Sequence, residues 1–172
     1  NAAIPGRGVF FHNSEESDHT TFGSAALVVA GHTPAVKAMW FRGGWFDSLS
    51  ALWREVSTGE FVENDGSVSE RGVGGRNGGS VLVRGSLAPG ESVIIPVILT
   101  WHFPNCHQTV GVVAGEEFSR VWHPYYTTQW KDAREVAAYV VDNLDDLYRR
   151  TVAFRDLLAE LSLAARPFEP AT

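Results

Sequence analysis

One cysteine among 172 residues means that no disulfide can form within the chain. Its presence as the lone Cys106 suits a reducing compartment, and a cytoplasmic setting is the expectation. No secretory signal is visible, and the single methionine is Met39. The chain opens on Asn1-Ala2, which reads as a cut end with the natural start upstream. No apolar run approaches the length that spans a bilayer. Basic charge is also scarce: 14 Lys and Arg stand against 20 Asp and Glu, for a net charge of −6. The cations are scattered, so neither a nucleic-acid face nor attraction to an anionic membrane is expected. What remains is an ordinary globular balance of 44% hydrophobic and 20% charged residues, enough for one domain with a sizeable core.

Short apolar segments separated by turn residues read as strands. Val9-Phe10-Phe11 is the only apolar run among the opening residues. Ala25 to Ala30 reads as a strand buried on both faces, and Ala35 to Arg42 as its antiparallel neighbour after a turn at His32-Thr33-Pro34. Val81 to Leu87 and Ser92 to Trp101 read as a hairpin. Their link Ala88-Pro89-Gly90-Glu91 places Pro and Gly where a type II turn requires them. The second arm is apolar on both faces, which predicts a place inside a sandwich. Pro96 gives no N–H to a ladder, so an edge or bulge is expected there.

Two segments break the β pattern. Phe46, Leu49, Trp53 and Val56 recur at helical spacing, with Asp47 or Ser48 as cap and Gly59 as stop. From Asp132 to about Leu163, Val136, Val140, Leu144, Leu147, Phe154, Leu158 and Leu161 fall on one stripe at about 100° per residue. Tyr139 and Leu157 widen it on one side, and Val141, Tyr148 and Val152 on the other. An arc this broad predicts burial between two bodies, with Tyr148, Val152 and Leu157 facing a partner that the preceding strands do not supply. The glycine-rich run GVGGRNGGS has no Lys-Ser/Thr after it and leads into a strand, so a surface loop is expected rather than a phosphate cradle.

Three further segments are distinctive: Arg42-Gly43-Gly44-Trp45-Phe46-Asp47-Ser48-Leu49, Thr100-Trp101-His102-Phe103-Pro104-Asn105, and Tyr125-Tyr126-Thr127-Thr128-Gln129-Trp130-Lys131-Asp132-Ala133. In this order and spacing they resemble the N-terminal domain of glycoside hydrolase family 116, which includes β-glucosidases and non-lysosomal glucosylceramidases. The likeness runs from about Gly23 to Leu163; Cys106 to Pro124 departs from it. It implies an antiparallel β-sandwich over 1–131 that lacks its first strands, a short inserted helix, an amphipathic linker helix over 132–164 and a tail over 165–172. It also implies a following (α/α)6 barrel as partner. That barrel would carry the Glu nucleophile and Asp acid/base of a retaining β-glycosidase, two carboxyl groups about 5 Å apart. No catalytic carboxylate is carried over to this chain, which is expected to be inactive alone and to meet glycoside substrate only indirectly.

Arg42, Trp45, Trp101, His102, Asn105, Tyr125 and Tyr126 are then candidates for the barrel's entrance or for a domain interface. The alternatives are a carbohydrate-binding module with exposed aromatics and a domain that self-associates through the broad helix. His102, Cys106, His107 and His123 are metal-ligand types, but their spacing fits no common zinc pattern. No metal and no cofactor is expected.

Overall fold

A computed structural model describes residues 1–13, 15–40, 48–67, 78–107 and 121–164. The larger sheet is antiparallel, with β1 (Ala2–Ile4), β2 (Gly8–His12), β3 (Ser24–Val29) and β6 (Val97–His102) in the spatial order β1-β2-β3-β6. The smaller sheet pairs β4 (Ala35–Lys37) with β5 (Ser80–Leu82), and β7 (Cys106–His107) with β8 (Val121–Trp122) forms a short ribbon. Helix α1 spans Ser48–Thr58, a 3-10 turn covers Tyr125–Thr128, and α2 (Ala133–Asp142) precedes α3 (Leu144–Ala164). The mainly β, sandwich-like class with an inserted helix therefore holds.

The alternation of a strand divides the larger sheet's side chains between two faces. Register places Ala3, Val9, Phe11, Leu27 and Leu99 on one face, and Phe10, Ala26, Val28, Thr100 and His102 on the other. On the first face Val9 packs with Val36 and Ala38 from the β4 side, and Ala3, Phe11 and Val81 close around them. This is the sandwich core. Complete burial of a valine such as Val9 contributes roughly 1.5–3 kcal/mol.

The second face is covered by the start of α2. The Ser24 hydroxyl accepts from the Ala133 N–H at 3.0 Å, and the Thr100 hydroxyl donates to the Ala133 carbonyl at 2.8 Å. Ala133 and Ala137 are buried, and the Arg134 guanidinium lies 4.2 Å over the Phe10 ring. Small residues at the first turns let the helix come close, and the Ser24 hydroxyl satisfies an N–H of the first turn that has no partner within the helix.

Several strand pairings differ from the sequence expectation. Ala25 to Ala30 does not pair with Ala35 to Arg42; β3 lies between β2 and β6, and β4 pairs with β5. The expected hairpin of Val81–Leu87 with Ser92–Trp101 does not form either. The type II turn at its centre is nonetheless present: Gly90 has φ 86°, and the Glu91 N–H donates to the Ala88 carbonyl at 3.0 Å. The turn joins arms that belong to different sheets. The opening residues, in which only Val9-Phe10-Phe11 is an apolar run, supply both strands of the first hairpin, β1 and β2.

Both helical readings hold, with one change. Gly59, at φ 74°, ends α1 as expected; the proposed cap Asp47 lies outside the described residues. The long helix is divided at Asn143, whose side chain donates to the Tyr139 carbonyl at 2.8 Å. Backbone bonds from Asn143 to Tyr139 and from Leu147 to Asn143 bridge the division at 3.1 and 3.0 Å. The chain forms two compact units, Asn1–Ala138 and a second that begins at Tyr139.

Candidate functional site

The end of β6 and the segment before α2 form one corner. Since a carbonyl can only accept, His102 carries its proton on Nε2 and donates to the Trp130 carbonyl at 2.8 Å. The His102 ring meets Tyr126 edge-on, with centroids 5.6 Å apart. The Tyr126 hydroxyl accepts from the Phe103 N–H at 3.0 Å and lies 3.1 Å from the Phe103 carbonyl, to which it donates. His123 Nδ1 donates to the Pro104 carbonyl at 2.8 Å. Asn105 is buried, and its amide donates to the carbonyls of Ser17 and His19 at 2.8 and 2.9 Å.

Local chemistry sets up this corner. Pro124 fixes the entry to the 3-10 turn at φ −58°, and the Thr127 hydroxyl and N–H both donate to its carbonyl. Asp132 then caps α2: its Oδ1 accepts from the N–H groups of Arg134 and Glu135 at 2.8 and 3.2 Å. Partial burial pulls the Asp132 carboxyl upward, but hydrogen bonds from the Arg134 side chain and from both N–H groups outweigh it. The net position is below the usual aspartate range. The same ion pair holds the Arg134 guanidinium above its ordinary value.

The corner brings together three of the predicted site residues, His102, Asn105 and Tyr126. Each directs its polar atoms at nearby backbone, which makes the corner a clasp between β6, the Ser17–His19 loop and the α2 approach. Trp101 and Tyr125 stand differently: they are exposed, at 60% and 78%. Arg42 and Trp45 lie outside the described residues, as do 72–77 of the glycine-rich run. Among the described residues no group of three or more His, Cys, Asp or Glu stands close enough to hold a metal.

A shallow depression of about 370 Å³ is lined by Ala3 to Gly6, Thr33, Pro34, Val36 and Glu63 to Asp65. Its two carboxylates are committed. Glu63 accepts from the Val36 N–H at 2.9 Å, and Asp65 accepts from the Ser67 N–H at 2.8 Å. The Ser67 side chain and N–H hold Asp65 below its ordinary value. A glycosidase acid needs the opposite shift, and Asp65 does not have it.

Sequence reasoning missed two polar devices in the smaller sheet. Lys37 is buried, pairs with Glu55 of α1, and lies 5.7 Å from the Phe61 ring centroid. Asn64 clamps Met39, accepting from its N–H and donating to its carbonyl, both at 2.8 Å. A lysine in a short apolar strand was the available signal for the first. Nothing local marked the second.

A comparison with curated proteins finds no match, and a comparison with solved structures finds none. Residues 4–147 match the family model described as beta-glucosidase 2, glycosyl-hydrolase family 116 N-term. The chain belongs to this family of glycoside hydrolase N-terminal domains.

Proposed function

We propose that this chain is the non-catalytic β-sandwich domain of a retaining β-glycosidase, and that it braces a following (α/α)6 barrel through α3. The division 1–131, 132–164 and 165–172 into sandwich, linker helix and tail belongs to the same reading. The carrying observation is the apolar side of α3. Tyr148, Phe154, Leu157, Leu158 and Leu161 are 70%, 63%, 53%, 47% and 58% exposed, and Val152 is half-buried. A run of large apolar side chains in contact with water is costly and marks an interaction surface. The committed carboxylates Glu63 and Asp65 support a role outside the chemical step. In this reading Tyr125, exposed beside the approach to α2, is a further interface contact and the entrance residues act only at second hand. The direct test is turnover of aryl β-glucosides by this chain alone. None is expected, and measurable turnover would overturn the reading.

A second reading has its own support. Trp53, Trp101, Trp122 and Tyr125 are exposed, and aromatic faces stack on sugar rings. A carbohydrate-binding module would change its tryptophan fluorescence on titration with glucosides or β-glucan. A flat response at millimolar sugar removes this alternative.

A further inference from the structure

We infer that β6 is a self-complementary edge, and that two copies of this chain pair there as antiparallel strands about a two-fold axis at Leu99. Among the described residues β6 is the last strand of its sheet, with β3 on one side only. The direction of its backbone groups follows from two bonds. The Ala30 N–H donates to the Pro96 carbonyl, and Val29 N–H to the Arg7 carbonyl, at 3.1 and 2.9 Å. Alternation along the antiparallel register then turns the backbone groups of Ile98, Thr100 and His102 toward β3. Those of Val97, Leu99 and Trp101 point away from it, to the outer edge.

The same three residues carry the open side chains: Val97, Leu99 and Trp101 are each 60% exposed. They lie on the face whose core is built around Val9 but are not among the side chains packed into that cluster. Natural edge strands carry charge, a bulge or an internal proline to refuse pairing. Val97 to His102 has no Lys, Arg, Asp or Glu. Pro96 does not guard the outer edge, because its missing N–H belongs to the alternate set that faces β3.

A strand therefore fits this edge better than a helix or a small ligand, and a second β6 fits it in register. A two-fold axis perpendicular to the sheet at Leu99 sets Leu99 opposite Leu99 of the other copy, and Val97 opposite its Trp101. Those positions are all in the outward set, so each pair exchanges both of its backbone bonds. The axis keeps each residue on its own face, so the two open stripes merge into one, and every Trp101 covers a valine across the strands. No like charges meet. The interface is closed and isologous, so it stops at a dimer. It is also small, so association depends on concentration.

The test is the mass of this chain by light scattering across a concentration series, with amide exchange at the same concentrations. The expected mass approaches twice 18.8 kDa as concentration rises. Exchange at Val97, Leu99 and Trp101 slows in parallel, while Ile98, Thr100 and His102 are protected throughout. Leu99→Lys keeps the chain monomeric, and Leu161→Lys on α3 leaves the dimer intact. A monomer at every concentration overturns the inference. So does a dimer in which the three outward amides still exchange freely, or one that Leu161→Lys abolishes. None of these outcomes bears on turnover of glucosides, so the inference stands or falls apart from the enzymatic reading.

Discussion

His102 and Trp130 are joined by a hydrogen bond of 2.8 Å between a buried ring nitrogen and a backbone carbonyl 28 residues away. The bond ties the end of β6 to the chain as it approaches α2. His102→Ala removes the buried donor and deletes the edge contact with Tyr126. We expect a loss of about 1–3 kcal/mol. The urea denaturation midpoint measures it, and His102→Gln, which can still donate, recovers part of the loss.

Lys37 and Glu55 form the second long-range tie, between β4 and α1. The lysine side chain is 5% exposed and the glutamate 21%. Glu55 also accepts from the Val62 N–H at 3.2 Å. Glu55→Ala leaves a buried ammonium with no anion and costs about 3–5 kcal/mol. Lys37→Met with Glu55→Gln removes both charges together and costs less. A double-mutant cycle read by urea denaturation fails to support the pair as the α1 anchor if the single and double variants lose the same stability.

The signals legible in the sequence were those whose chemistry is local. Gly59 ending α1, the turn at Ala88–Glu91 and the helical stripe from Asp132 onward each depend on neighbours within a few positions. Strand partnership does not. The apolar run at Val93 to Trp101 announces burial, yet alternation alone cannot choose between β5 and β3 as its neighbour. Nor does it reveal that Val97, Leu99 and Trp101 stand open. His102 and Asn105 are candidates for the entrance or a domain interface through the family resemblance and their place at the end of a strand. Their partners, the carbonyls of Trp130, Ser17 and His19, are distant in sequence and invisible to any motif.

Asp132 contributes to stability in a pH-dependent way. Its folded value lies below the ordinary aspartate value, so its contribution is present above the unfolded value and is lost as pH falls through the folded one. At neutral pH Asp132→Ala costs about 0.5–2 kcal/mol through loss of the cap. The gap between wild type and variant narrows as pH drops below about 3.9. Denaturation midpoints at several pH values check the sign; a gap that widens in acid contradicts it.

Gly8 permits the β2–β3 contact by having no side chain. A Cβ there would lie 1.9 Å from the Leu27 carbonyl oxygen, which is backbone and cannot move aside without opening the ladder. Gly8→Ala is expected to cost more than the roughly 1–3 kcal/mol of ordinary overpacking. Gly85→Ala is the control, since no atom lies within 4 Å of its added Cβ. Thermal melts should separate the two variants clearly, and equal melting temperatures would show that the strands can shift to accept the methyl group.

The proposed brace makes a prediction that separates binding from folding. Tyr148 and Leu157 are exposed in this chain, so replacing each with Glu removes little contact that the chain makes with itself. Stability should change within about 0.5 kcal/mol. A barrel domain that uses these side chains as anchors loses buried apolar surface and must bury a new carboxylate, a far larger penalty. Tyr148→Glu with Leu157→Glu should therefore leave the melting temperature of this chain unchanged and abolish its co-elution with a co-expressed barrel. Co-elution that survives both charges places the brace elsewhere than α3. A fall in melting temperature would mean that the arc already has a partner within the chain, and the physical ground for a missing body would be gone.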